Sequence, residues 1–205
     1  MGKKIVLLFI LGFSIIVLSG CASLNGDVPF RYQPSLISYN KKIDKTVGLN
    51  MLVDKRPDGD KAYTESIKDV SEKITAKLLE DFDKSKIFKE IHYPSQAEDD
   101  IVINGTIDRF MWKFYAKTIY YIPMLNLVCY FGVPYADAYG IAGITLEVRD
   151  NKVGKVLWSF AEESKMVNSY TFYNMKAGDS GAELAEAFRE VGKKLKEDLL
   201  IKTNF

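Results

Sequence analysis

The order in which hydrophobic periods follow one another along this chain leaves few folds open to it. Val47, Leu49, Met51 and Val53 alternate with Gly48, Asn50 and Leu52, the period of two of a strand with one strongly apolar face. The turn Asp54–Asp60, with Pro57 inside it, ends that strand. Ile67, Val70, Ile74, Leu78 and Phe82 then recur every three or four residues among Lys, Asp and Glu. That spacing predicts an amphipathic helix from about Thr64 to Lys84, with Ser66 and Asp69 resembling a capping box. Ile87–Tyr93 reads as a second, short strand stopped by Pro94. Ile101, Ile103, Gly105 and Ile107 define one face of a third. From Phe110 the large residues move to even positions, Phe110, Trp112 and Phe114, so a β-bulge or bend is expected near Asp108–Arg109, where the strand should leave its sheet. Ile144, Leu146 and Val148 predict a fourth strand. Val156, Trp158 and Phe160 predict a fifth, hairpinned to it across Gly154. A last helix carries Ser180 and Glu183 as a capping box, with Leu184, Phe188, Val191, Leu195 and Leu199 along one side.

The order is therefore strand, helix, strand, strand, apolar insertion, strand, strand, helix. An α+β two-layer domain, a mixed, mainly antiparallel sheet with two long helices on one face, would bury every one of these stripes.

The amino terminus belongs to no such element. Met1-Gly2-Lys3-Lys4 is a short positive segment, and Ile5 to Leu18 carries no charge, the layout of a secretion signal. The run is shorter than the ~20 residues that span a ~30 Å hydrocarbon core. Residues 1–20 are thus expected to be cleaved. Residues 21–46, with Pro29 and Pro34, read as a tether from which Phe30, Tyr32, Leu36 and Ile37 lie partly against the domain. Residues 47–205 form one domain with an apolar insertion at about 117–140. The formal charge of the whole chain is +1, so nothing in it recruits nucleic acid.

Leu18-Ser19-Gly20-Cys21 matches the lipobox of bacterial lipoproteins. The resemblance implies that signal peptidase reads Leu18, Ser19 and Gly20. Cys21 would take diacylglycerol on sulfur and an acyl chain on its new amine, and no other cofactor is expected. Only a thiolate is nucleophilic enough near neutral pH for that transfer, and several acyl chains make attachment stable. Ala22 after the cysteine implies the periplasmic leaflet of the outer membrane in a Gram-negative host, and otherwise the outer face of the plasma membrane. Cys129 is then the one free cysteine, so no internal disulfide is available. Val47-Gly48-Leu49-Asn50-Met51-Leu52-Val53-Asp54-Lys55-Arg56-Pro57, Ile103-Asn104-Gly105-Thr106-Ile107 and Gly154-Lys155-Val156-Leu157-Trp158-Ser159 resemble a superfamily of envelope lipoproteins. Its members share a fold with the amino-terminal domain of TolB, the curli secretion lipoprotein and the auxiliary lipoproteins of ABC-type lipid transporters. That resemblance implies a non-catalytic adaptor or scaffold, with a ring-forming secretion channel or a small-ligand carrier as alternatives.

The most informative internal feature is the uncharged stretch from Thr118 to Ala136. Pro123, Asn126, Gly132 and Pro134 exclude one continuous spanning helix, and no polar alternation marks a transmembrane hairpin. Two readings stay open. In one it is a flap folded over its own domain. In the other Ile119, Tyr120, Tyr121, Ile122, Leu125, Leu127, Tyr130 and Phe131 form an exposed arm that docks on lipid, an envelope protein or another copy of the chain. Tyr170, Phe172 and Tyr173 are placed to pack under it. Asp54 and Arg56 read as an ion pair beside a turn proline, and His92, without Cys or His at ligand spacing, as a surface residue. Cys129 in apolar company reads as a small buried hydrophobe. No motif of paired carboxylates, phosphate-binding glycines or an activated serine appears, so neither catalysis nor a metal is expected.

Overall fold

The computed structural model describes residues 30–34, 42–64, 67–175 and 181–202. The signal peptide, the lipobox residues Leu18, Ser19, Gly20 and Cys21, and also Leu36, Ile37, Ser66 and Ser180 lie outside them. In chain order the elements are β1 (Ile43–Leu49), β2 (Val53–Asp54), α1 (Asp58–Ala62), α2 (Val70–Ser85), β3 (Phe88–His92) and β4 (Ile101–Ala116). Then come α3 (Thr118–Tyr121), a 3₁₀ segment (Leu125–Phe131), β5 (Ala136–Asp150), β6 (Val156–Tyr170) and α4 (Ala182–Lys202). The sheet is open and six-stranded, ordered β3-β1-β4-β5-β6, with β2 beside β4. β1 runs parallel to both neighbours. The long β4–β5 and β5–β6 ladders are antiparallel and carry most of the pairs.

α2 packs on β3 and β2, and α4 on β5, β6 and β4. The two helices meet at Lys196 and Asp81, so both cover the same face, as the two-layer reading requires. Phe30 and Tyr32 pack at this seam, their rings edge-on to Phe188 at 5.7 and 4.9 Å. The first strand starts at Ile43, inside the stretch read as tether: its side chain is buried and its N–H donates to the Ile87 carbonyl.

Three expectations are corrected in detail. The alternation of residues 47–53 slips after Leu49: Met51 and Val53 are exposed and Leu52 is buried. β1 ends there because the Leu52 N–H donates to the Thr75 hydroxyl of α2 at 3.0 Å instead of to a strand, which turns Leu52 into the core. The predicted helix of 64–84 starts at Val70, after Asp69 in the left-handed region at φ 54°, and a separate short helix, α1, precedes it. Its apolar stripe is nonetheless buried whole, Ile67 included.

The third correction concerns β4. The register slips between Ile107 and Arg109, so the bulge stands where the phase switch placed it. The strand does not leave its sheet, however, but stays paired with β5 as far as Ala116–Ala136. One extra residue reverses the alternation, so Ile103 and Ile107 before the bulge and Phe110 and Trp112 after it all face the helices. Asp108, the extra residue, accepts hydrogen bonds from the hydroxyls of Thr106 (2.8 Å) and Thr145 (2.6 Å).

β5 begins at Ala136, so the part of the expected insertion that is not strand ends at Tyr135. Its first inward residues are small because α4 lies against them: a Cβ on Gly140 would stand 2.1 Å from the Glu183 carbonyl carbon.

Candidate functional site

The arm, residues 117–135, rises from the end of the sheet where β4 gives way to β5. Backbone bonds close its root, Lys117 N–H to Tyr135 O at 2.7 Å and Tyr135 N–H to Tyr170 O at 2.9 Å. A Lys117–Asp137 ion pair at 3.0 Å brackets it. Pro123 separates α3 from the 3₁₀ segment, which ends at Gly132 in the left-handed region at φ 91°. No strand occurs in the arm, and among the described residues no helix is long and apolar enough to cross a membrane.

The arm's inner side is a flap. Cys129 is fully buried there, as a small hydrophobe should be. Phe172 stacks on Tyr135 at 4.7 Å and meets Tyr130 at 5.0 Å and Tyr120 at 6.4 Å. The Tyr173 hydroxyl donates to the Tyr130 carbonyl. Of the three aromatics expected under the arm, Phe172 and Tyr173 are there. Tyr170 instead points inward, its ring beside Phe114.

The outer side is bare. Ile119 is half-buried, but Tyr120, Tyr121, Ile122, Leu125, Leu127 and Tyr130 are exposed, Met124 is 80% exposed and Phe131 is 88% exposed. The segment is thus packed on one side and exposed on the other. Aromatic packing fixes the inner face, and nothing among the described residues covers the outer one.

The other candidate residues are spent internally. Arg56 is buried and grips Asp54 with two nitrogens at 2.9 and 2.8 Å, while its third donates to the Thr64 hydroxyl at 2.6 Å and the Phe110 carbonyl at 3.3 Å. Those bonds hold the Asp54 carboxyl below the usual carboxylate range. Asp60, in the following α1, is buried against Arg109 at 2.6 Å.

His92 ends β3 as expected, yet its ring is not free. Nδ1 stands 2.5 Å from the buried Asp99 and Nε2 3.1 Å from Glu90. The hydrogen bond with Asp99, then that with Glu90, lifts its pKa above the ordinary histidine value. The second nitrogen meets a carboxylate, not a hydroxyl or thiol, so this pair activates no nucleophile. Among the described residues no group of three His, Cys, Asp or Glu side chains is placed to hold a metal ion.

The periodicity of the chain gave no sign of the cluster around Glu183. This fully buried carboxylate accepts from Trp112 Nε1 at 2.9 Å, Asn168 Nδ2 at 2.9 Å and the Tyr170 hydroxyl at 2.5 Å. It therefore ties β4 and β6 to the start of α4 directly beneath the arm.

No protein-family model matches the chain, and no curated protein does either. Solved structures do. Protein XCC0632 from Xanthomonas campestris, of family DUF330, superposes with a TM-score of 0.50 at 8% identity, over 84% of this chain and 91% of that one. The likeness establishes a shared fold. The PelC dodecamer from Paraburkholderia phytofirmans matches with a TM-score of 0.38 at 10% identity, over 76% of this chain and 92% of that one. Lipoprotein GNA1162 from Neisseria meningitidis matches with a TM-score of 0.36 at 10% identity, over 72% of this chain and 98% of that one.

Proposed function

We propose that this chain is a lipid-anchored, periplasm-facing lipoprotein of the bacterial envelope that works as a non-catalytic adaptor or scaffold in an envelope assembly or transport system. The covalent handle is Cys21, preceded by Leu18-Ser19-Gly20 and the uncharged run after Lys3-Lys4. In a Gram-negative host Ala22 directs it to the outer membrane. The observation that carries the adaptor reading is the arm, which sets a bare apolar face on a rigid base while the charged candidates, Asp54, Arg56, Asp60 and His92, are consumed by internal pairs. A free apolar surface of this kind signals a binding partner.

Metabolic labelling with a radioactive fatty acid tests the anchor: the wild type is labelled and Cys21→Ser is not. A photoreactive residue at Leu125 or Tyr130 tests the arm. Crosslinking in cells yields an adduct with lipid or with an envelope protein, and its absence from both positions, at normal protein levels, removes the adaptor reading.

A further inference from the structure

The direction in which the amino-terminal segment enters the fold bears on what the arm meets. Tyr32 lies at the middle of α4, against Phe188 and 3.4 Å from where a Cβ of Gly192 would stand. Phe30 lies against Phe188 and, at 5.0 Å, Phe110. Phe30 thus sits over Phe188, one turn of α4 nearer its start than the Gly192 that the Tyr32 hydroxyl reaches. That end holds Trp112, Glu183 and Gly140, beneath the arm. The other end of α4, where Asp198 accepts from Trp158 Nε1, is on the far side. Phe30, the described residue nearest Cys21 in the chain, therefore lies on the arm's side of Tyr32.

The lengths agree. Phe110 to Ala116, the rest of β4, rises about 20 Å to the arm's root. The stretch from Cys21 to Phe30, fully extended, spans at most about 30 Å. A membrane holding Cys21 by its acyl chains is thus within reach of the arm, and the tether makes the second contact effectively intramolecular.

We infer that the outer face of the arm docks on the lipid bilayer that holds Cys21, so that acyl chains and arm together fix the domain's orientation on the membrane. This rests on the acylation of Cys21 proposed above and names the occupant of the same arm. The chemistry of the face suits lipid. Residues Thr118 to Ala136 carry no charge, Met124, Leu127 and Phe131 are exposed, and so are Tyr120, Tyr121, Tyr130 and Tyr173, amphipathic side chains of the kind that settle at headgroup depth. A protein interface of similar size is stitched by about one hydrogen bond per 100–200 Å². The arm offers little for that beyond Asn126 and the tyrosine hydroxyls.

The test uses the full chain, processed in cells, with acylation of Cys21 verified by mass, and reconstituted into phosphatidylethanolamine–phosphatidylglycerol vesicles with brominated acyl chains. Phe131→Trp places a reporter on the arm, Tyr121→Trp a second, and Val153→Trp one in the β5–β6 turn at the opposite end. The native Trp112 and Trp158 are buried and give a common background. Docking about 5–10 Å into the headgroup boundary predicts that bromine near the carbonyls quenches about half or more of the added emission at 131 and 121, that bromine near the chain ends quenches less, and that 153 is spared. Quenching at 131 and 121 no greater than at 153 overturns the inference, as does an arm that crosslinks only to a protein or to a second copy. A mass without acyl chains sinks the anchor reading instead, so the two failures are distinguishable.

Discussion

The buried ion pair at the helix seam gives a sharp test of how the two layers are joined. Lys196 of α4 is fully buried, and its Nζ stands 2.8 Å from Asp81 of α2 and 3.2 Å from the Ser85 hydroxyl. Two charges taken out of water are held by each other, and removing one leaves the other stranded, at a cost of about 3–5 kcal/mol. Lys196→Met keeps most of the volume and removes the charge together with its hydrogen bonds to Asp81 and Ser85. For a domain of this size each kcal/mol shifts Tm by about 2–4 °C, so Lys196→Met lowers Tm by about 6–20 °C. The double variant Lys196→Met/Asp81→Leu has no stranded charge and recovers most of that loss, because apolar groups can replace a buried pair at little or no cost. Urea unfolding of the two single variants, the double variant and the wild type completes the thermodynamic cycle. If Lys196→Met falls by less than about 1 kcal/mol, or the double is no more stable than the weaker single, the helices are not held at this seam by the pair.

Gly140→Ala forces a Cβ to within 2.1 Å of α4 backbone, which cannot rotate away, so it costs about 1–3 kcal/mol or more by denaturant melt, while Gly154→Ala meets nothing within 4 Å and strains only its turn. For His92 the sign follows from its raised pKa: bonding by Asp99 and Glu90 favours the protonated ring in the folded state. The resulting stability is complete below the unfolded value of about 6.5 and is lost as pH rises through the folded pKa. A proton NMR titration of the ring gives a midpoint above 6.5, and His92→Gln flattens the melting temperature across that window. Cys129, fully buried under the arm, resists alkylation in the native protein and reacts once denaturant is added. Fast native labelling would mean that the inner face opens.

Where side-chain size alternates strongly, the fold was legible from the chain. Ile101–Ile107, Ile144–Val148 and Val156–Phe160 showed their strands, and the move from odd to even large residues exposed the bulge at Asp108 because only an inserted residue reverses strand parity. Legibility failed where a distant contact sets the local geometry. The slip at Leu52 depends on Thr75, twenty-three residues on, and the early half of β5 is hidden because Ala136, Ala138 and Gly140 are small to admit α4. The outer half of β6 alternates weakly because it lies at the sheet edge with most of its side chains exposed.

The same distinction runs through the candidate site. An uncharged run of residues announced the arm, since no ordinary loop does without charge for so long. Which side of it faces solvent is decided by Phe172 and Tyr173, some forty residues away, whose rings and hydroxyl hold Tyr130 and Tyr135 from beneath. The role of Glu183, read from the sequence only as part of a capping box, was hidden for a related reason: its three donors, Trp112, Asn168 and Tyr170, come from two strands, and only the assembled sheet brings them to one carboxyl group. That carboxylate also explains why the arm can be apolar without collapsing onto the core. Trp112 and Tyr170, the large residues at the arm's base, are already held by hydrogen bonds to the buried Glu183 side chain. Met124 and Phe131 stand clear of that layer, exposed to solvent.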